Sequence, residues 1–461
     1  MRDPRLPFLE EAIDAEKVAA KFAASFRETL TENGLKVKKC VVERVQHKKG
    51  KRCRILYTLF FQNENGEETR HWFHGKMVKQ GRGAQHFEAA LQKLGVVDGL
   101  WPAVSLWEEW DFVLWAFPYD PDMPGLNIPA IPTTVKSIIS ENTAKFDFDE
   151  NCVPEDVKID QVKYMPAKRC VLRYNVVFRK GDAAQDLTFY GKVYPDGTSR
   201  YHYEVLKTVY RSAGNILNVP APILHLDDAN TIWQHAWPGE PLIDKINEIS
   251  HDEIFPRLGE IAAKYHRTKC AGLPKHFNFK TVMFAAKEDA KMLGWMAPHF
   301  KQRLDQIYET LASLQERVAM QKIPASPIHG AMRIEQFVTR DNEFALLDLD
   351  AASIGDPLFD VVEFITSLQY LEFLRGMERE ALACAENLFL ESYKKHALWE
   401  LDDLRIAWYA CAFFMTKIYD TVKNLEQNSL PNLDKAFDVL EQWHVKLLHE
   451  RAALAPESMV A

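Results

Sequence analysis

The residues with the greatest potential for chemistry are concentrated in one short part of the chain, residues 325–360. They form three blocks, which read Pro327-Ile328-His329-Gly330-Ala331, then Ala345-Leu346-Leu347-Asp348-Leu349-Asp350, then Ile354-Gly355-Asp356-Pro357 followed by Asp360. Carboxylate oxygens are hard ligands of the kind that Mg²⁺ prefers. Transfer of a phosphoryl group depends on the placement of such cations and on one group that orients the acceptor hydroxyl. The residue types in this segment therefore fit phosphoryl transfer.

The three blocks resemble the motifs of the aminoglycoside phosphotransferase and choline kinase family. Those motifs are HGDxxxxN, an apolar strand that ends in Asp-x-Asp, and GDPxxD, and the order and the gaps agree with this sequence. The resemblance implies that Asp348 is the chief metal ligand and that Gln336 stands where the family places a second ligand, usually Asn. It also implies that His329 supports the catalytic loop through hydrogen bonds. Asp350 is either a further metal ligand or a polar anchor.

The carboxylates of the third block are expected to be architectural. Asp356 and Asp360 match the family's GDPxxD pattern. An Asp just before a helix can accept hydrogen bonds from the first backbone N–H groups of that helix. We therefore predict that both residues cap a helix that begins near Leu358.

One position departs from the family in a way that bears directly on activity. Ala331 occupies the place of the family's catalytic Asp, which accepts the proton of the substrate or holds its hydroxyl in line. A methyl group can do neither, and loss of a general base typically costs about 10²–10⁴ in rate. Glu335 lies four residues further on. A side chain at that distance round a tight loop need not face the substrate, so rescue by Glu335 is not expected.

The first half of the chain contains one segment twice. Residues 51–57 match residues 168–174, and residues 74–78 match residues 190–194, with nearly the same separation along the chain. Alternating apolar and polar residues before each Gly-Lys predict hairpin strands, and apolar residues at helical spacing follow. The expected hairpin turns are Asn63-Glu64-Asn65-Gly66 and Lys180-Gly181-Asp182. Each copy therefore predicts a hairpin, another strand and a helix.

In both copies a glutamate follows the lysine of the Gly-Lys pair at the same distance. The pairs are Lys76 with Glu88, and Lys192 with Glu204. A strand lysine that faces a helix glutamate is the pair with which kinases hold the phosphates of ATP. The alternative is that both are ordinary surface charges. The sequence favours ATP binding for Lys192 and Glu204 and a structural role for the first pair.

Proline-rich stretches suggest where the chain divides. Residues 118–132 are predicted to be a linker between the two copies, and Gln234, His235 and Ala236 to be a hinge that contacts the nucleotide. The resemblance implies an α+β, two-lobed protein-kinase-like fold, with a small antiparallel-sheet lobe and a mostly helical large lobe. The predicted domains are 1–132, a second copy of the small-lobe pattern, 133–235, the small lobe, and 236–461, the large lobe. The extra copy is expected to pack against the kinase unit without binding nucleotide independently.

Composition narrows the classes of protein. The formal charge of −8 on 461 residues, with only local basic clusters, argues against a nucleic-acid partner. Seven cysteines without a CxxC pair fit a reducing cytoplasm. The apolar run Ile406 to Met415 is too short to span a membrane, which takes about 20 residues, and is predicted to be a buried helix.

Three hypotheses remain at this point. The first is an enzyme that uses ATP, or another nucleoside triphosphate, and Mg²⁺ to phosphorylate a hydroxyl of a sugar, an aminoglycoside or an amino alcohol, with Ala331 impairing activity. The second is a natural pseudokinase that binds nucleotide or a protein partner, the latter through its N-terminal domain. The third is a purely structural protein. Acceptor choice is expected to reside in the helices from Leu368 to Leu447, and the sequence does not specify an oligomeric state.

Overall fold

The computed structural model describes residues 3–93, 99–147, 152–180, 183–195, 197–214, 216–275, 278–320, 323–424 and 430–453. Two compact units divide the chain. Unit 1 consists of residues 1–201 and 223–235, and unit 2 consists of residues 202–222 and 236–461. Both units mix helices with antiparallel strand pairs, so the predicted α+β class is confirmed. The three predicted domains, 1–132, 133–235 and 236–461, stay a prediction beside this two-unit division.

The first part of unit 1 is a five-stranded sheet preceded by short helices. Its elements are α1 (Leu9–Ala12), α2 (Ala15–Ser25), α3 (Arg27–Glu32), β1 (Leu35–Lys48), β2 (Arg52–Asn63), β3 (Glu68–Val78), α4 (Gly83–Leu91), β4 (Val104–Trp107) and β5 (Phe112–Ala116). The strand order is β1-β2-β3-β5-β4, and every neighbouring pair is antiparallel. The predicted turn at residues 63–66 joins β2 to β3. Four tryptophans of this part, Trp101, Trp107, Trp110 and Trp115, are buried.

A second five-stranded sheet follows with the same arrangement. Its elements are α5 (Pro132–Ser140), β6 (Val153–Met165), β7 (Arg169–Lys180), β8 (Ala183–Val193), α6 (Ser199–Ala213), β9 (Pro222–Leu226) and β10 (Thr231–His235). The strand order is β6-β7-β8-β10-β9. Each sheet thus has a helix between its third and fourth strands in chain order. Gly181 and Asp182, predicted to form the second hairpin turn, lie outside the described residues.

The glycine of each Gly-Lys pair is required by an aromatic ring on a neighbouring strand. A Cβ on Gly75 would lie 1.9 Å from the Phe112 ring. A Cβ on Gly191 would lie 2.8 Å from the Tyr174 ring and 3.0 Å from the Trp233 ring. Protein interiors are close-packed, so a side chain at either position would have to displace a buried ring. The repeated glycine is therefore explained by packing, and the lysine beside it must be explained separately.

A buried tyrosine makes the same contact in both sheets. The Tyr57 hydroxyl donates to the Ala12 carbonyl at 2.7 Å, and the Tyr174 hydroxyl donates to the Pro129 carbonyl at 2.8 Å. In each case the acceptor precedes the tyrosine by 45 residues. The similarity of the two halves of unit 1 therefore extends from the strands to the segment before the first strand of each sheet.

The proline-rich connection between the two sheets, residues 118–132, is a packed segment. Asp120, Met123 and Leu126 are buried. The Asp120 carboxylate accepts hydrogen bonds from the Tyr164 hydroxyl and from the Ala167 backbone N–H, both at 2.8 Å. Burial and the Asp120 charge raise the pKa of Tyr164 well above its ordinary value. The connecting segment is thus bound to the second sheet by buried hydrogen bonds, and the packing of the N-terminal copy against the kinase unit stays a prediction.

Unit 2 is mostly helical and contains two small strand pairings. Its elements are β11 (Glu240–Pro241), α7 (Leu242–Lys245), α8 (His251–His266), α9 (Phe279–Met296), α10 (Lys301–Met320), β12 (Ser326–Ile328), β13 (Phe337–Arg340), β14 (Glu343–Leu346), β15 (Ser353–Gly355), α11 (Pro357–Arg375), α12 (Arg379–His396), α13 (Asp403–Asn424) and α14 (Leu433–Ala453). The run Ile406 to Met415 lies buried inside α13, as predicted. None of the helices among the described residues is long and apolar enough to cross a membrane.

A buried carboxyl group between α9 and α13 makes stability depend on pH. The Thr416 hydroxyl donates to the Asp289 carboxyl at 2.6 Å. Burial raises the pKa of Asp289 to about 6 from an ordinary value of 3.8. Because the folded state holds this proton more tightly than the unfolded state, the stabilisation is complete below the unfolded pKa and is lost as the pH rises through the folded pKa.

We therefore expect Asp289→Asn, which stays neutral, to gain stability relative to the native chain as the pH rises. The shift of about two pKa units corresponds to about 3 kcal/mol between about pH 4 and about pH 7. Urea unfolding of both proteins at the two pH values measures it. The same difference in unfolding free energy at both values would contradict the assignment of Asp289 as the titrating group.

Candidate functional site

The loop of residues 329–333, here called the His-Gly loop, follows β12 and lies against the segment after β14. Gly330 has φ +76°, a left-handed conformation that glycine adopts without strain. A Cβ at this position would also lie 2.5 Å from the Ala351 carbonyl oxygen. Both backbone conformation and space therefore require glycine. The close approach places Ala331, the next residue and partly exposed, on a firmly held stretch of backbone.

The carboxylate that holds the His-Gly loop comes from the first turn of α11. Asp360 Oδ2 accepts from the His329 backbone N–H at 2.5 Å, and Oδ1 accepts from the Gly330 backbone N–H at 2.8 Å. His266 Nε2 donates to the same carboxylate at 3.1 Å, and the Tyr393 hydroxyl lies 2.8 Å from His266 Nδ1. The prediction that Asp360 caps a helix was thus wrong. Its helix begins at Pro357, and its two oxygens are used by the loop.

The His329 side chain ties the loop to the strand that precedes Asp348. His329 Nε2 lies 2.8 Å from the Leu347 carbonyl oxygen. Because a carbonyl can only accept, Nε2 carries the hydrogen of this bond. The residue is fully buried, and its Nδ1 has no hydrogen-bond partner among the described residues. His329 therefore occupies a supporting position, with its ring turned to the strand.

The hairpin of β13 and β14 brings the expected metal ligands to one end. Phe337 pairs with Leu346, and the Leu347 backbone N–H donates to the Gln336 carbonyl at 2.8 Å. Gln336 and Asp348 therefore both lie at the open end of the hairpin. Asp348 has φ +60°, where Asp is tolerated better than most residues.

The remaining two aspartates of the three motif blocks, Asp350 and Asp356, have different environments. Asp350 is partly exposed and lies in the single turn of residues 349–351. Asp356 caps α11, as predicted, by accepting from the Leu358 backbone N–H at 3.0 Å. Its other oxygen accepts from Arg405 Nη1 at 3.0 Å and from the Tyr409 hydroxyl at 2.9 Å. Burial raises the pKa of Asp356, and the Arg405 charge opposes this shift.

Two residues predicted to bind nucleotide lie on one face of the second sheet of unit 1. Lys192 on β8 is opposite Ile232 on β10, and Tyr190 is opposite Gln234. Side chains two apart on a strand point the same way. Lys192 and Gln234 therefore project from the same face on neighbouring strands, and both are 7% exposed.

The other predicted nucleotide-binding residues are more exposed. His235 ends β10 and is half-buried, and burial lowers its pKa. Ala236 is the next residue and begins the second part of unit 2. Glu204 belongs to unit 2, is exposed on α6, and accepts from Lys207 Nζ at 2.9 Å. Five other predicted site residues lie in unit 2, within the segment of residues 325–360: His329, Ala331, Gln336, Asp348 and Asp350.

Sequence reasoning missed the residues that hold this segment in place. His266 lies 94 residues from Asp360 along the chain, and Arg405 lies 49 residues from Asp356. Neither residue belongs to a local motif, and no spacing pattern marks either one. A single sequence therefore offers no signal that would have found these contacts.

The oxygen donors at the end of the hairpin fit a magnesium ion that is shared with a substrate. Asp348 offers a carboxylate and Gln336 an amide oxygen. Among the described residues, no three His, Cys, Asp or Glu side chains form a cluster that could hold a metal alone. Mg²⁺ is usually held by one or two carboxylates together with substrate phosphates and water. The donor set therefore suits Mg²⁺ that arrives with a phosphate ligand.

Comparison with known proteins finds one family model that matches part of this chain. Residues 173–388 match the family model described as the phosphotransferase enzyme family. Similar solved structures include choline kinase from Cryptosporidium parvum Iowa II, at 13% identity and TM-score 0.48 over 69% of this chain and 96% of that one. Choline kinase LicA from Streptococcus pneumoniae is 16% identical, with TM-score 0.42 over 67% and 99%. Spectinomycin phosphotransferase is 10% identical, with TM-score 0.44 over 69% and 99%. No curated protein matches this chain.

Proposed function

We propose that the part of this chain built around residues 173–388, which matches the phosphotransferase enzyme family, is an ATP- and Mg²⁺-dependent phosphotransferase unit. Its acceptor is a hydroxyl group of a small molecule such as a sugar, an aminoglycoside or an amino alcohol. Another nucleoside triphosphate would serve the same chemistry. With alanine at position 331, turnover by the chain is severely reduced.

The observation that carries this proposal is the way Asp360 and His329 fix two backbone segments against each other. Asp360 binds two successive backbone N–H groups of the His-Gly loop, and the His329 ring binds the carbonyl just before Asp348. Positioning of the reacting groups accounts for most of the catalysis in phosphoryl transfer. The buried Asp360 carboxylate holds the His-Gly loop in place, and phosphoryl transfer depends on such positioning.

Each site residue has a role in the proposal. Asp348 is the principal ligand of Mg²⁺, Gln336 a second ligand, and Asp350 a further ligand or a polar anchor. The ion, when bound, neutralises charge on the phosphates. Lys192 holds the phosphates of the nucleotide, with Glu204 as its partner. The nucleotide base is contacted by the hinge residues Gln234, His235 and Ala236.

Ala331 decides between two versions of this function. In the first, the unit is an enzyme whose rate is low because no carboxylate orients the acceptor hydroxyl. In the second, the unit is a pseudokinase that binds nucleotide or a protein partner without transfer, and the methyl group of Ala331 is the observation that favours it. The enzyme version requires nucleotide binding, and the two versions differ in what restoration of the carboxylate does.

Nucleotide binding can be tested with two aspartates of the same hairpin. Asp348 and Asp341 both have left-handed backbone conformations, with φ +60° and +51°, which Asn also tolerates. ATP with Mg²⁺ should stabilise the native chain by about 2.7 kcal/mol at a hundred times its Kd. Thermal unfolding should show that Asp348→Asn loses the Mg²⁺-dependent part of this gain and that Asp341→Asn keeps it. Equal gains in both variants would refute the role of Asp348.

Four broader features complete the proposal. Acceptor choice is assigned to the helices between Leu368 and Leu447, and any protein partner is assigned to the N-terminal sheet. A cytoplasmic location is supported by the seven cysteines, all of which are free thiols. Recognition of nucleic acid has no part in the function.

A further inference from the structure

A cavity of about 130 Å³ lies in the N-terminal sheet of unit 1, beside α4. Basic side chains dominate its lining. Arg54 comes from β2, Lys76 from β3, His86 from α4, and Lys93 from the turn after α4. Asp122 is the one carboxylate among the described residues that line it. The cavity therefore carries an excess of positive charge.

The geometry of the sheet and helix concentrates these charges. Arg54 and Lys76 are directly opposite each other on antiparallel neighbours β2 and β3. Like charges in this position destabilise a sheet. His86 on α4 and Lys93 in the turn after α4 both line the same cavity. A sheet and a helix thus direct four basic groups to one point.

The protein itself neutralises only part of this charge. Arg54 forms an ion pair with Asp122. Lys76 Nζ makes no hydrogen bond or ion pair within the described part of the chain, and Glu88, which the sequence paired with it, is exposed and outside the cavity lining. Burial lowers the pKa of Lys76, and the charges of Arg54 and Arg52 lower it further. An anion would relieve this repulsion.

The fold does not require the additional cation. Arg54 is opposite Lys76 in the N-terminal sheet, and the corresponding pair in the second sheet is Val171 opposite Lys192. A valine at this position is compatible with the same strand order. Arg54 therefore belongs to a feature of the N-terminal sheet and not of the second sheet.

The size of the cavity selects a small anion. Trp115 is stacked on His74, with ring centroids 4.9 Å apart, and both rings are buried. Trp115 is opposite His74 in the N-terminal sheet, and the corresponding pair in the second sheet is Gln234 opposite Tyr190. The N-terminal sheet thus has a bulky indole where the second sheet has a glutamine side chain. A cavity of about 150 Å³ accommodates one benzene-sized molecule. The space therefore suits one phosphate group.

We propose that this cavity binds a phosphate group, either as inorganic phosphate or as the head of a small phosphomonoester. Lys76 and Lys93 supply charge, and Arg54 supplies the planar fork that matches phosphate oxygens. His86 contributes a ring N–H. This cavity shares no lining residue with the nucleotide site of the proposed function. Phosphate binding in the cavity therefore does not depend on the proposed function.

Isothermal titration of the full chain with inorganic phosphate, at an ionic strength held constant with chloride, tests this site. Lys76→Met keeps the aliphatic stem and should weaken binding about tenfold or more, because a charge-assisted hydrogen bond is lost. Lys93→Met, at an exposed position, should also weaken it. Lys36→Met, at an exposed position on β1 of the same sheet, should leave the affinity unchanged. A merely structural Lys76 would predict a less stable Lys76→Met protein, whereas the site predicts stability equal to or above that of the native chain.

Methyl phosphate, titrated in the same way, separates the two sources of the ligand. Binding of both anions supports a phosphomonoester, and binding of inorganic phosphate alone supports free phosphate. Absence of measurable phosphate binding to the native chain would overturn the proposal. So would equal affinities in the native chain, Lys76→Met and Lys93→Met, and the exposed Lys93 position keeps this comparison possible even if Lys76→Met does not fold.

Discussion

Replacement of Ala331 by Asp should raise phosphotransfer by about 10²–10⁴-fold, the usual contribution of a general base. The position follows Gly330 on a backbone that Asp360 and His329 already hold, and Ala331 is partly exposed, so a carboxylate can be accommodated. Release of ADP in the presence of sugars, aminoglycosides and amino alcohols measures the gain. A matched control is Ala331→Asn, because an asparagine side chain has nearly the same shape as an aspartate side chain and cannot accept the proton of the acceptor hydroxyl.

The outcome separates the two versions of the proposed function. An active Ala331→Asp protein with an inactive Ala331→Asn protein would establish the enzyme, and adding Asp348→Asn to the active variant should abolish the gain. If Ala331→Asp binds nucleotide and still transfers nothing to any acceptor of the panel, the enzyme version is contradicted and the pseudokinase version is supported.

Replacement of Asp360 by Ala should lower the free energy of unfolding by about 3–5 kcal/mol. The change leaves the backbone N–H groups of His329 and Gly330, and the Nε2–H of His266, without their acceptor in a fully buried place. Each buried donor left unsatisfied costs about 1–3 kcal/mol. Urea unfolding followed by circular dichroism measures the loss.

Two variants provide the comparison for Asp360→Ala. Asp360→Asn keeps one acceptor oxygen and should lose less stability. Asp244→Ala removes a carboxylate from an exposed ion pair with Arg375, at 3.3 Å, and should change stability by less than about 1 kcal/mol. If Asp360→Ala were as mild as Asp244→Ala, the claim that this carboxylate holds the His-Gly loop would be untenable.

The parts of the fold that could be predicted from the sequence are those with strong local patterns. The buried helix around Ile406 to Met415 and the hairpin turn at residues 63–66 follow from apolar runs and turn residues. Strands β1 and β6 were missed for a physical reason. Each contains two register shifts, which interrupt the alternation of apolar and polar residues that marks a strand.

The candidate site also has some parts that the sequence could predict and others that it could not. His329, Gln336 and Asp348 could be selected because they lie in short motifs, and the structure places all three in one segment of unit 2. The bonds that fix the segment could not be predicted, since His266 reaches Asp360 across 94 residues of sequence. Asp360 was predicted to cap its own helix, because a carboxylate in the first turn of a helix usually interacts with that helix. In the structure it binds the His-Gly loop instead.

The most direct test of the central claim is isothermal titration of the native chain with ATP in the presence and absence of Mg²⁺. The proposed function predicts one molecule of ATP bound per chain, a Kd that tightens when Mg²⁺ is added, and loss of this Mg²⁺ effect in Asp348→Asn but not in Asp341→Asn. No binding of ATP by the native chain, or the same Mg²⁺ effect in both variants, would contradict the assignment of a nucleotide site that includes Asp348.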